Sequence, residues 1–285
     1  MEAIEKRKSP GIIPGGLNIS KWPWWAIVIG FAGAALVFLI IGSVDYQTTF
    51  LYLIQGIVTT LRITFFSFIL ATILGLPTGL ARISKNIFLR NLSTFYVEIV
   101  RGIPLLVLII YIAYGLFPIF VNFITGIGRE GLLLLPSSGF FTSFSTFSIR
   151  DVTQEGRAII ALGLGYGAFE AEVFRAGIQS ISKGQMEAAK SLGMTYFQGM
   201  RFIVLPQAIR RVLPPLGNDF IACLKDSSLV SILAVNELTQ MGRLRTAGTF
   251  RAMETYNVVA FLYLSMTLLL STVVRWLENR MKIEE

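Results

Sequence analysis

Long apolar runs recur along this chain, and they constrain its fold more than any other feature. They cover about residues 24–42, 51–80, 92–120, 158–181, 213–235 and 256–277. Crossing a hydrocarbon core takes about 20 residues of helix, so each run is long enough to span. An open sheet leaves backbone polar groups unsatisfied in lipid, so the spans are helices. With 54% hydrophobic and 15% charged residues, the composition departs from that of a soluble domain in the same direction. The expected fold class is an all-α integral membrane protein with about six transmembrane helices.

The chemistry available to such a chain is narrow. It contains no histidine and one cysteine, Cys223, which sits inside an apolar run. A disulfide framework within one chain is excluded, and zinc, haem and iron–sulfur sites are disfavoured. No Ser-His-Asp or Cys-His site can be built. No catalytic residue and no metal ligand is expected. The formal charge of +8 comes from basic residues gathered at the ends of apolar runs, a placement selected by anionic lipid headgroups rather than by nucleic acid.

Residues 1–23 form a polar tail with Lys6, Arg7, Lys8 and Lys21, and its apolar core begins too late for a cleaved signal peptide. Run 24–42 is therefore expected to be a retained helix, anchored by Trp22, Trp24 and Trp25. Basic tracts at 6–8, 82–90, 183–211 and 275–282 all lie on one side if six helices alternate, which puts both termini in the cytoplasm. The external segment 237–254, with Arg243, Arg245 and Arg251, breaks this pattern; it is read either as a solvated loop or as a surface that meets acidic residues of a binding protein. Segment 121–156, rich in Phe, Ser and Gly, is expected to be an external loop with a short surface helix. Residues 278–285 form a second cytoplasmic tail.

The polar segment 182–211 carries two capping patterns. Ser182 with Gln185 has capping-box spacing, and Glu187 follows in the first turns, where a helix favours negative charge. Ala188 and Ala189 favour helix and expose little side chain, and Gly193 ends the helix as a left-handed cap. Thr195 and Gln198 repeat the spacing, so a second short helix is expected from Tyr196 towards Leu205, with Pro206 and Pro214 punctuating the return to the membrane. Two short helices at an angle make a knob suited to a partner's groove. An amphipathic connector lying on the lipid surface is the alternative, although Glu187, Gly193 and Gly199 interrupt its face.

Glu187-Ala188-Ala189, then Gly193, then Ile203-x-Leu205-Pro206 resembles the EAA loop of bacterial ABC importer permeases. Further stretches are similar to the polar amino-acid subfamily of histidine, glutamine and arginine importers. These are Gly56 with Thr59-Thr60-Leu61, Tyr96-x-Glu98 with Arg101-Gly102-x-Pro104, Gly167-Ala168-Phe169 with Glu172 and Arg175, and Asn218-Asp219-Phe220-Ile221 with Lys225. The resemblance implies a type I ABC importer permease fold over residues 50–277, with the helix at 24–42 and the loop 121–156 as additions. It implies a dimer of cytoplasmic ATPases that bind ATP and Mg, a second permease subunit (identical or paralogous) and an external solute-binding protein. It places coupling to the ATPase on Gln185, Glu187, Ala188, Ala189 and Gly193 in the cytoplasmic loop 182–211, and no cofactor on this chain. The implied function is ATP-driven import of polar amino acids by alternating access. An ion-gradient-driven secondary amino-acid transporter is the alternative.

Charges inside a membrane are costly and are candidates for function by default. Glu172 and Arg175, three apart on one helix face, are expected to neutralise each other, as are Glu98 and Arg101. Glu170 has no such local partner. It either lines the substrate pathway, where it would receive a cationic group, or pairs with Arg62. Asp219 is a further pathway candidate.

Overall fold

The computed structural model describes residues 24–281. The expectations for the tail 1–23, including Trp22, for the Trp25 side chain and for residues 282–285 lie outside the described residues. Among the described residues all regular structure is helical. The elements are α1 (Trp24–Gly42), α2 (Val44–Arg82), α3 (Ile87–Gly102), α4 (Leu105–Ile110), α5 (Phe117–Leu134), α6 (Gly139–Thr146), α7 (Gln154–Gln179), α8 (Lys183–Ser191), α9 (Tyr196–Gly199), α10 (Leu205–Asp226), α11 (Leu238–Thr249) and α12 (Ala252–Met281).

Helix α2 runs for 39 residues without a break, passing through Gly75, Pro77 and Gly79, which the sequence pattern presents as an interruption. Proline within a membrane helix is tolerated when neighbouring helices support the freed carbonyl. The expected span at 92–120 is instead divided. Pro104 forces Ile103 into extended backbone (φ −104°, ψ 134°), so α3 stops at Gly102. The chain then re-enters helix as α4, a π turn at Tyr111–Leu116 and α5, which together form one apolar 30-residue helix over Leu105–Leu134. The first part of segment 121–156 is therefore helix rather than loop, and α6 folds back against α5. A second π turn, Met200–Val204, joins α9 to α10, so the helix continues past Pro206 and through Pro214 and Pro215 instead of being punctuated there. Each π turn ends two residues before a proline, Pro118 or Pro206. The wider turn relieves the clash between a proline ring and the carbonyl four residues back.

Three helices, Val44–Arg82, Leu105–Leu134 and Ala252–Arg280, are long and apolar enough to cross a membrane, with Ala26–Gly42 as a shorter apolar helix. At the centre, α2 and α7 run parallel in close contact. Ile63 and Ala71 of α2 and Ala158, Ala161, Leu162, Ala168 and Ala171 of α7 are fully buried there. Lipid tails are as apolar as leucine, so helices in a bilayer gain by close van der Waals packing rather than by leaving water. The small residues of this seam meet that need. A Cβ at Gly75 would come within 2.9 Å of the Glu170 Cβ, and one at Gly79 within 2.6 Å of the Ala171 carbonyl oxygen. Helices α3, α4 and α10 cover the seam with Val97, Ile109 and Cys223. A second core of Leu53, Leu238, Val258 and Leu262 ties α11 and α12 to the first half of α2.

Candidate functional site

Helices α8 and α9 form a knob at the end of the molecule where α7 finishes and α10 begins. Local chemistry shapes it. Ser182 Oγ accepts the Gly184 N–H at 3.3 Å, one arm of a cap, without the reciprocal bond from Gln185. Thr195 and Gln198 complete a full capping box at 3.3 and 2.8 Å. Gly193 (φ 79°) closes α8 with the paired bonds of a Schellman motif, Met194 N to Ala189 O at 3.1 Å and Gly193 N to Lys190 O at 2.9 Å. Any side chain at this φ would be strained.

The faces of the knob divide its residues. Ala189 is 1% exposed and packs inward, against the position where a Cβ on Gly199 would meet it at 3.2 Å. Gln185, Glu187 and Ala188 point outward, and Glu187 makes no ion pair among the described residues. Beside them Leu192, Tyr196, Phe197 and Phe202 are each more than 60% exposed. The exposed Gln185 and unpaired Glu187 interrupt the continuous cationic face that an amphipathic connector on the lipid surface would present. At the root of the knob, Ile181, Val204 and Ala208 form a small core joining α7 to α10, and Arg211 Nη1 donates to Ser180 O at 2.9 Å.

Above the knob lies an ion network. Glu172 pairs with Arg175 one turn away and also with Arg82 of α2, whose Nη1 lies 2.7 Å from Oε2. Arg82 Nη2 reaches Glu98 of α3 at 3.1 Å. Glu98 therefore pairs with Arg82 and not with Arg101, as its spacing in the sequence had indicated. The α2–α3 connection brings Arg82 to the face of α3 that carries Glu98, an arrangement that i, i+3 spacing does not encode. Arg101 has no ion pair among the described residues; its guanidinium stands 5.6 Å from the centroid of the Phe169 ring.

Deeper along α7, Glu170 is fully buried. Its Oε2 is 2.8 Å from the Thr72 hydroxyl, which also lies 3.0 Å from Phe68 O, and its Oε1 has no hydrogen-bond partner. In this conformation Glu170 faces the α2–α7 seam and not an open cavity. Arg62 does not reach it: Arg62 forms a two-pronged pair with Glu155 at the start of α7, with Nη2 2.6 Å from Oε2. Asp219 of α10 is partly buried, and its Oδ2 lacks a partner. Tyr166 donates to Asp226 at 2.7 Å.

At the opposite end, two of the three loop arginines are engaged within the chain. Arg245 binds the Thr48 and Thr49 hydroxyls at 2.9 and 3.3 Å, Arg251 pairs with Asp45, and Arg243 stays exposed. Glu237, before α11, accepts from Gln240 N at 2.7 Å and from Thr239 N and Tyr263 Oη at 2.8 Å. Burial raises its pKa above the ordinary carboxylate value, and the donors from Thr239, Gln240 and Tyr263 pull it back. Thr239 and Gln240 lie next to Glu237 in sequence, but the Tyr263 hydroxyl that completes this buried cap comes from α12 and is not encoded by local spacing.

A family model described as "binding-protein-dependent transport system inner membrane component" matches residues 71–283, which include the Gly75–Gly79 part of the seam, the ion network and the knob. The chain belongs to this family. It is a membrane-embedded transport subunit of the bacterial inner membrane, and ATP hydrolysis lies in a separate subunit. Among its relatives, the glutamine transport system permease protein GlnP of Escherichia coli (strain K12) is 34% identical over 231 residues, 81% of this chain and 93% of that one. The probable glutamine ABC transporter permease protein GlnM of Bacillus subtilis is 40% identical over 210 residues, covering 74% and 84%. The nopaline transport system permease protein NocM of Agrobacterium fabrum is 33% identical over 234 residues, covering 81% and 89%. Among solved structures, an amino acid ABC transporter with histidines matches with a TM-score of 0.66 and 32% identity over 85% of this chain and 98% of that one. The MetNI methionine ABC transporter, at 20% identity and a TM-score of 0.60, shares the fold. These relatives are ABC permeases; the ion-gradient alternative finds no support among them.

Proposed function

We propose that this chain is the permease subunit of an ATP-driven importer of polar amino acids, with six spans and both termini in the cytoplasm. The observation that carries the reading is the knob. It offers an unpaired Glu187 among exposed apolar side chains, on a segment anchored directly to α7 and α10. The occupant is an ATPase of the importer, bound through Gln185, Glu187 and Ala188, while Ala189 and Gly193 keep the knob in shape. Amino-acid cargo follows from the relatives and from the structural match to an amino acid transporter. A second permease subunit and an external binding protein complete the assembly, and ATP with Mg binds to the ATPase, not to this chain.

Force from the knob passes into α7, and the Glu98–Arg82–Glu172–Arg175 network carries it to α2 and α3 as one body. Asp219, partly buried on α10 with Oδ2 unpartnered, supplies negative charge suited to the ammonium or guanidinium of a cationic cargo, whereas Glu170 stays within the α2–α7 seam against Thr72. The test is uptake of radiolabelled glutamine, histidine and arginine by vesicles holding the purified complex with its binding protein. Uptake of at least one that requires internal ATP is expected. Uptake that proceeds on an ion gradient without ATP would overturn the reading.

A further inference from the structure

Where α2 and α3 meet, the surface carries a groove of about 730 Å³ that the transport reading does not use. Its walls are Leu74, Pro77 and Ala81 of α2, Leu92 and Phe95 of α3, and Leu164 of α7. The four hydroxyls in the lining are already hydrogen-bonded within the chain. Thr78 donates to Leu74 O at 2.7 Å, Ser93 to Leu89 O at 2.8 Å and Tyr96 to Leu164 O at 2.6 Å, while Ser84 accepts the Asn86 N–H at 3.1 Å. A polar occupant would leave its own groups unpaired there, whereas a hydrocarbon chain would not.

Length and charge distinguish the two ends of the groove. Ten residues of helical rise from Leu74 to Ser84 give roughly 15 Å. That is half of a hydrocarbon core about 30 Å thick, the depth of one leaflet. The deep end is closed where Tyr96 binds Leu164 O, and the other end opens at the α2–α3 connection, residues 83–86. Ser84 and Leu89 line that mouth, and their neighbours Lys85 and Arg90 are exposed, with no ion pair among the described residues. No acidic residue occurs between Arg82 and Glu98, and those two pair with each other. Backbone donors at the start of α3 are also engaged, because Asn86 Oδ1 accepts from Phe88 N and Leu89 N at 2.9 and 3.3 Å. Free positive charge at the mouth therefore sits on the two side chains. A second copy of this chain packed here across a two-fold axis would bring its own Lys85 and Arg90 to the same interface, like charge to like.

We propose that this groove binds an anionic phospholipid of the cytoplasmic leaflet, with an acyl chain between α2 and α3 and the phosphate on Lys85 and Arg90. Seated there, the lipid fills the space beside the Arg82–Glu98 pair that joins the same two helices. The inference takes only the cytoplasmic placement of the α2–α3 connection from the transport reading and uses no step of transport.

The experiment offers the detergent-purified complex equal amounts of phosphatidylglycerol and phosphatidylcholine with identical acyl chains, and counts the lipids retained by native mass spectrometry. Wild type should retain phosphatidylglycerol over phosphatidylcholine by about tenfold or more, since each Lys or Arg near the surface contributes about fivefold in affinity for an anionic lipid. Lys85→Gln combined with Arg90→Gln should bring the ratio close to one, while Arg275→Gln, a cation near the end of α12, should leave it unchanged. Ala81→Phe, which fills the groove, should lower retention of both lipids. Equal retention of the two lipids by wild type, or the wild-type ratio in the Lys85→Gln, Arg90→Gln variant, overturns the site. So does a Leu92→Cys thiol that a short bis-maleimide joins to a second copy of this chain in membranes, which would assign the groove to permease pairing. The comparison of the two lipids on wild-type protein decides the matter even if a variant fails to assemble. Binding is read without import, so failure of the importer reading is a separate result.

Discussion

The knob and the α2–α7 seam are built on opposite principles. Contacts between residues a few positions apart shape the knob: a capping box at Thr195 and Gln198, a Schellman stop at Gly193, one small inward face at Ala189 and Gly199. The seam depends on backbone approach between helices about 90 residues apart in sequence, as in the Arg62–Glu155 and Arg82–Glu172 pairs. The knob presents a charged and apolar surface outward; the seam presents nothing outward. A part made to be gripped is thus joined to a part made not to yield, and the ion network above the knob is where the two meet.

That contrast can be broken at several points. The largest effect is expected at the seam: Gly79→Leu would drive a side chain into the Ala171 carbonyl and the Phe174 Cβ, and membrane-extracted protein should lose its monodisperse peak on size exclusion. At the knob, Glu187→Arg should leave that peak intact and reduce ATP-driven uptake by at least about tenfold, the consequence of setting like charges together in an interface. If Glu187→Arg instead lost the folded peak, the knob would be part of the rigid frame. Between the two regions, Arg82→Ala leaves Glu172 with one partner and Glu98 with none, and thermal unfolding in detergent should show a loss of about 2 kcal/mol. The smallest effect belongs to Thr195→Ala, which removes one cap bond from an exposed helix end and should cost about 1 kcal/mol.

The same contrast explains what could be read from the sequence. Helix α1, the two short helices and the Gly193 stop follow from caps, periodicity and composition within a few residues of one another. Glu172 and Arg175 also meet, because one turn of helix brings them together. The partner of Glu98 was misplaced because Arg82 arrives from a different helix, and Arg62 turned to Glu155 for the same reason. The split at Ile103–Pro104 was hidden inside an apolar run, where hydropathy is high on both sides of a backbone break. Pro77 and Pro214 misled in the other direction, because support from neighbouring helices lets a proline stand in mid-helix.

The account stands or falls on what grips the knob. The chain has one cysteine, Cys223, and it is fully buried, so a cysteine introduced at an exposed position becomes the reactive thiol. Glu187→Cys, treated in the assembled complex with a short thiol-to-amine cross-linker, should become covalently joined to the ATPase, while Arg243→Cys at the opposite end should not. A Glu187→Cys thiol that stays freely labelled in the assembled complex and yields no product with the ATPase would contradict the account.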